Sequence, residues 1–310
     1  MPNVKLQNYF HLHFIVFIWG FTAILGELIT IEALPLVWYR MLTATIFIFI
    51  YIKLMKIPLQ VSKQDFYLLS FAGAVIALHW ITFFGAIKAS NVSITLSILS
   101  SGAFFTSLLE PLFYKRKIIW YEVLFGLIVI GGLYIIFKVE GEYVTGIILA
   151  IISAFLSAVF SLINGKLAKR HNPSRISFYE LGCGVGLITI YLLITSVLGK
   201  TDLGFTKAFF ILSASDWMYL MILSIICTAY AFIASVKVMK FLSPYTVMLT
   251  INLEPVYGIF LAFLIFGDAE QMSVQFYYGA AIILATVLLN GIFKNAKKLK
   301  RAPFKSNYTN

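Results

Sequence analysis

The sequence predicts an all-α integral membrane fold of ten transmembrane helices, arranged as two inverted five-helix repeats. Three observations carry that expectation. Apolar stretches long enough to cross a bilayer recur along the whole chain, basic residues alternate from one loop to the next, and the two halves share residue echoes. Of 310 residues, 61% are hydrophobic and only 12% charged, against about 25% charged in an ordinary soluble domain. Too little polar surface remains to coat a water-soluble globule.

A membrane helix needs about 20 apolar residues to cross the hydrocarbon. Windows of about 19 residues place spans at 11–28, 36–54, 66–87, 92–113 and 119–137. A second five follow at 144–165, 175–198, 216–236, 243–266 and 275–293. Only Lys5 precedes the first run, and no small-residue cleavage site ends it before Glu27. The first helix is therefore expected to remain in the mature protein. Cys183 and Cys227 both fall in predicted spans with no third thiol to form a framework, and read as packing residues.

The formal net charge of +11 raises the question of a nucleic-acid surface, which would demand a basic patch. The cations instead alternate with the loops, at Lys5, Lys53 to Lys63, Lys115 to Lys117, Lys166 to Arg175, Lys237 with Lys240, and the tail after Lys294. Lys88, Lys138, Lys200 and Lys207 take the other side, together with Glu27, Glu32, Glu140, Glu142, Asp202, Asp216, Asp268 and Glu270. By the positive-inside rule both termini are expected in the cytoplasm. A bilayer, not a nucleic acid, is the expected environment, and the basic tail is suited to touch anionic lipid.

A half with an odd number of helices must enter the membrane upside down when duplicated. A shift of 140 pairs Tyr39 with Tyr179, Ile48 with Ile188, Ile50 with Ile190 and Tyr51 with Tyr191. A shift of 153 pairs Ser90 with Ser243, Leu96 with Leu249, Phe113 with Phe266, Gly126 with Gly279 and Ile130 with Ile283. The same register sets Ser101-Gly102 opposite Glu254-Pro255, so the repeated letters Leu-Glu-Pro at 109–111 and 253–255 are not equivalent. Such repeats favour a transporter with its site at the midplane between halves.

Several blocks resemble the EamA-type family of the drug/metabolite transporter superfamily over roughly residues 10–293. They are Trp19-Gly20, Arg40, the run Ala-Ile-Lys-Ala-Ser-Asn-Val-Ser at 86–93, Leu242-Ser-Pro-Tyr-Thr246, Asn252-Leu-Glu-Pro-Val-Tyr-Gly258 and Phe266-Gly-Asp268. Family members commonly show Gly-Glu where this chain has Gly267-Asp268. The resemblance implies a first EamA repeat over 1–138, a second over 139–293 and a basic cytoplasmic tail over 294–310. It also implies a multi-pass cell (cytoplasmic) membrane location and a central cavity lined by helices 1, 3, 4, 6, 8 and 9, with 5 and 10 peripheral. Export or exchange of amino acids or related small metabolites follows, without enzymatic activity.

The leading site residue is Glu254, a carboxylate at mid-span in helix 9. There an ionisable group costs about 2.5 to 3.5 kcal/mol on insertion scales and should face a cavity or a partner. Pro255 removes a backbone donor and is expected to kink or open that helix, exposing carbonyls near Asn252 to a substrate ammonium. Glu254 is also the candidate for proton coupling, and no other cofactor or metal is expected. The alternative is that it ties helix 9 to a neighbour. His79 is suited to relay protons or to be a core histidine bonded to a hydroxyl, with Trp80 as cavity wall or packing.

Ser100, Ser101 and Gly102 offer small polar groups and bare backbone facing Glu254, or merely close packing. Trp19 and Tyr230, central in helices 1 and 8, are candidates for stacking on or hydrogen-bonding a ligand, or ordinary packing residues. Arg40 and Glu180 are expected to snorkel to the interface. Gly131-Gly132 and the Ala281/Ala285 pair are expected to meet neighbouring helices or to serve a homodimer. The glycines at 182, 184 and 186 follow no strand and make no dinucleotide loop. A channel or receptor of the same architecture is the rival reading. An intramembrane enzyme would need a matched nucleophile and base, or a metal cluster, which the motifs do not supply.

Overall fold

The computed structural model describes residues 2–115, 117, 120–139, 141–199, 204–242, 247, 250, 251 and 253–301, and among them every regular element is helical. The helices are α1 (Pro2–Leu28), α2 (Ala33–Leu54), α3 (Lys63–Ala89), α4 (Val92–Leu99), α5 (Gly102–Tyr114), α6 (Trp120–Val139) and α7 (Val144–Leu167). They continue with α8 (Pro173–Val197), α9 (Ala214–Ser224), α10 (Ala231–Val238), α11 (Glu254–Phe266) and α12 (Val274–Arg301).

By length and composition, 7 segments suffice to cross a membrane: Leu6–Leu28, Ala33–Leu54, Lys63–Ala89, Val92–Tyr114, Gly141–Leu167, Pro173–Val197 and Ala214–Val238. The other three expected spans coincide with the shorter apolar helices Leu124–Lys138, Glu254–Phe266 and Val274–Thr286. Large apolar side chains such as Phe10, Leu112, Ile130, Val197 and Phe260 stand exposed around the bundle. No water-soluble surface tolerates such a belt, and the chain is a multi-pass membrane protein.

Helix starts are closed by side chains that the sequence places just ahead of them. Ser62 accepts from the amide of Asp65, Asn91 from that of Ile94, Asn172 from that of Ser174 and Ser213 from that of Asp216. Each cap satisfies an amide that has no partner within its helix. At the end where α1 finishes, acidic groups tie the helices together. Asp216 accepts from the amide (2.7 Å) and the hydroxyl (2.8 Å) of Thr30. Glu270 accepts from the amides of Val92 (3.0 Å) and Ser93 (2.8 Å), at the start of α4. Lys88 donates to the backbone carbonyls of Ile29 and Glu27.

Among the described residues, three of the expected spans depart from continuous α-helix. The fourth breaks at Ser100-Ser101, where the amide of Ser101 reaches only back to the carbonyl of Ile98 at 3.0 Å. In the eighth, a π turn over Ile225–Tyr230 joins α9 to α10. In the ninth, Leu253 bonds back to Thr250 at 3.0 Å and α11 starts afresh at Glu254. Pro255 thus sits in a first helical turn, where its missing N–H leaves no bond unmade, with the helix interrupted at Leu253 just before it.

α3 packs on both α7 and α8, α2 lies on α8 and α9, and α1 lies on α10 and α11. α4 touches α7 and α11, α5 touches α7, and α6 pairs with α12 at the side, around a separate cluster that includes Val129, Ile136, Phe276 and Ile283. Glycines allow the closest approaches. A β-carbon on Gly184 would lie 2.8 Å from the carbonyl oxygen of Gly73, and one on Gly132 would lie 3.0 Å from that of Gly279. Gly132 is therefore used inside the chain, whereas Gly131 faces open space.

Gly184→Ala should cost about 1 to 3 kcal/mol through overpacking against a backbone that cannot yield. Gly131→Ala should stay within about 0.5 kcal/mol of the parent. Thermal unfolding of the two variants in detergent checks the contrast, and equal midpoints would remove the packing role given to Gly184.

Candidate functional site

The breaks of the fourth and ninth spans meet at one cavity, and the π turn of the eighth stands behind its wall, bonded to Arg40 through Thr228 and to Trp19 through Cys227. The cavity volume is about 110 Å³. Its walls come from α1 (Trp19, Thr22), α2 (Arg40), α3 (His79, Trp80, Phe83), the α4/α5 break (Leu99, Ser100, Gly102) and α7 (Ser157 to Asn164). α10 adds Phe232 to Met239, and α11 adds Glu254 and Pro255. α6, α8 and α12 contribute nothing to the lining. The cavity runs from mid-bundle toward the end where α7 and α10 finish, opposite the end tied by Asp216, Glu270 and Lys88.

Glu254 is 9% exposed, and among the described residues its carboxylate has no hydrogen bond or ion pair. It opens the first turn of α11, where free amides favour a negative charge. Ser100 lines the cavity while its hydroxyl donates to the carbonyl of Ser97. Ser101 is fully buried away from the cavity, and its hydroxyl has no partner among the described residues. Asn252 lies outside the described residues, as do most of the Leu242 to Thr246 block and its link to α11.

On α3, His79 places Nδ1 at 2.9 Å from the carbonyl oxygen and 2.8 Å from the hydroxyl of Ser153. The carbonyl contact makes Nδ1 the protonated nitrogen, so α7 fixes the ring while its other edge borders the cavity. Trp19 donates its indole N–H to the carbonyl of Cys227 at 3.1 Å, within the π turn. The indole ring is left as wall. Tyr230, at the end of the same π turn, stands 44% exposed on the outside, its hydroxyl 2.9 Å from Nε2 of His11. The structure thus places Tyr230 away from the cavity, because the wider π turn changes which side chains face inward.

Two residues read from the sequence as interfacial anchors are deep inside. Arg40 is 2% exposed; its Nε donates to the hydroxyl of Thr228 at 2.7 Å and its Cζ lies 3.8 Å from the centre of the Trp80 ring. Snorkelling needs an open path along lipid, but this face of α2 is covered by α8, α9 and the π turn. Glu180 is fully buried and accepts from the side-chain amide of Asn164 at 3.1 Å. Helix 2 therefore joins the cavity wall through Arg40, a residue whose sequence position alone gave no sign of its depth.

Comparison with known proteins follows the same lines. The EamA-like transporter family matches residues 9–138 and again 144–292. Over 158 residues the chain is 27% identical to an uncharacterized transporter of Archaeoglobus fulgidus, a match covering 51% of this chain. The chain spans about half the length of that relative, 52%. It is 23% identical over 252 residues to an uncharacterized transporter of Bacillus subtilis, covering 79% of this chain and 77% of that one. A solved crystal structure superposes with a TM-score of 0.66 at 14% identity, over 93% of this chain and 98% of the other, a likeness of fold.

In a background with Cys183 and Cys227 replaced by alanine, a cysteine at Ser157 should react with a small hydrophilic thiol reagent, whereas one at Ser101 should not. Mass spectrometry of the labelled protein reads both sites, and a reactive Ser101 position would move the cavity boundary drawn above.

Proposed function

Because the chain belongs to the EamA-like transporter family, we propose that it carries small metabolites, amino acids or related compounds, across a cytoplasmic-type membrane, most naturally outward. The observation that carries this reading is the cavity itself. A chamber with mostly apolar walls into which Arg40, His79 and Glu254 are set lies between the halves of the bundle, tied together at one end. Ionisable groups are expensive inside a membrane and mark a path for solutes or ions. A solute entering from the end where α7 and α10 finish would meet those groups at mid-depth.

All ten apolar helices cross the bilayer in this reading, with both termini in the cytoplasm, as two inverted repeats over 1–138 and 139–293. The twofold match to one family supports the repeats, and so does the pattern of contacts. Exchanging the first five spans for the second five turns α3 on α7 into α1 on α10. It also turns α3 on α8 into α2 on α9, and α5 on α7 into α1 on α11. The pairs α2 with α8, α4 with α11 and α6 with α12 map onto themselves. A bundle of that symmetry has two related conformations, each open to one side, so rocking about the cavity gives alternating access. Release of the Thr30 to Asp216 and Glu270 to α4 bonds would open the closed end.

Glu254 has the central role, as the charge that a cationic group on the cargo, or a coupling proton, would meet. Proteoliposomes loaded with a labelled panel of amino acids and small metabolites should show saturable release of at least one compound. Glu254→Gln should slow that release by about tenfold or more, the scale of one lost charged contact. Repetition with an imposed pH gradient decides coupling. Wild-type rates in the variant would reduce Glu254 to a structural group, and non-saturable leakage would replace the carrier by a channel.

A further inference from the structure

The least explained group in the bundle is the guanidinium of Arg40. It has five N–H donors, and among the described residues one of them is used, from Nε to the hydroxyl of Thr228 at 2.7 Å. Its face rests on Trp80, 3.8 Å from the ring centre, with Phe84 at 5.4 Å. Nη1 is buried and has no hydrogen-bond partner, and no carboxylate lies within ion-pair distance among the described residues. Glu254 lines the same cavity without closing that gap.

A purely structural cation would spend its donors on nearby acceptors, as Lys88 does on the carbonyls of Ile29 and Glu27. Arg40 instead has Nε pinned, one face stacked and Nη1 unspent, in the wall of the chamber. That is the arrangement by which a guanidinium takes a planar carboxylate through two parallel bonds.

We propose that Arg40 is the receptor for a carboxylate on the transported molecule, set in position by Thr228 of the π turn. This rests on the carrier reading above and adds to it the chemistry of one end of the cargo. Thr228 is suited to the positioning role because its hydroxyl donates to the carbonyl of Leu223 at 2.7 Å, five residues back. Its oxygen is thereby turned toward Nε of Arg40. A regular α-helix would bring a different residue to this point, so the π turn and the anion receptor belong together. The cargo is a monoanion at this end, because a doubly charged phosphate would face one cation and the carboxylate of Glu254 in the same small space. Phe83, Phe160, Phe232 and Met239 line the remainder and fit a compact apolar body.

The test uses the full chain in nanodiscs, with binding followed by tryptophan fluorescence and thermal unfolding. Leucine, phenylalanine and lactate are each titrated against their primary amides, with inorganic phosphate as a further probe. At least one carboxylate should bind about tenfold or more tightly than its amide, as a site built for a charged partner requires. Arg40→Gln should erase that preference. Thr228→Val should weaken it severalfold and Thr228→Ser should restore it, which keeps the proposal testable if Arg40→Gln does not fold. Absence of a carboxylate preference, its survival in Arg40→Gln, or tighter binding of phosphate than of every carboxylate would overturn the assignment. Vesicle release of the same pairs separates the two readings. Carboxylate binding through Arg40 without release sinks the carrier and leaves the receptor, whereas equal release of acids and amides sinks the receptor and leaves the carrier.

Discussion

Inside a bilayer no water is available to satisfy a free backbone amide or carbonyl, so each departure from the α-helix has to be covered by protein or by a solvated cavity. The architecture follows from that constraint. The breaks at Ser100-Ser101 and before Glu254 open on one chamber, and the π turn at Ile225–Tyr230 backs its wall. The indole of Trp19 covers the carbonyl of Cys227, and the hydroxyl of Thr228 covers that of Leu223. The backbone irregularities that would be costly against lipid thus become the polar furniture of the site.

Charge is distributed by the same logic. At the end where α1 finishes, carboxylates meet amides and a hydroxyl over 2.7 to 3.0 Å and hold neighbouring helices together. In the interior, Arg40 and Glu254 share a cavity without pairing, and Glu180 is held by one amide of Asn164. A pair of charges locked together would leave nothing for a solute to engage. Separated charges in a small chamber retain their demand for a partner, which a zwitterion or a proton can meet.

The covering helices answer a different requirement. α6 and α12 face each other across Gly132 and Gly279 and keep their outer faces apolar. The inner glycine contact at Gly73 and Gly184 brings α3 and α8 together beside Glu180. Small residues are used where van der Waals contact must replace a hydrophobic drive that lipid does not supply.

By itself the sequence determined the membrane environment, the helical class, seven segments long and apolar enough to span, and the family, because apolar length and short motifs are local properties written in order along the chain. It also pointed to Glu254, Pro255, His79, Trp80, Trp19 and Ser100, which share the cavity wall. Only the tertiary structure decided the depth of Arg40 and Glu180, the outward turn of Tyr230, the separation of Ser101 from the cavity and the inward use of Gly132. The depth of a long side chain depends on which neighbour covers its helix face, and the facing of Tyr230 depends on a π turn that shifts every later residue around the axis. Neither is encoded in hydropathy or spacing, since both arise from contacts between segments more than a hundred residues apart, such as Arg40 with Thr228 and Trp19 with Cys227.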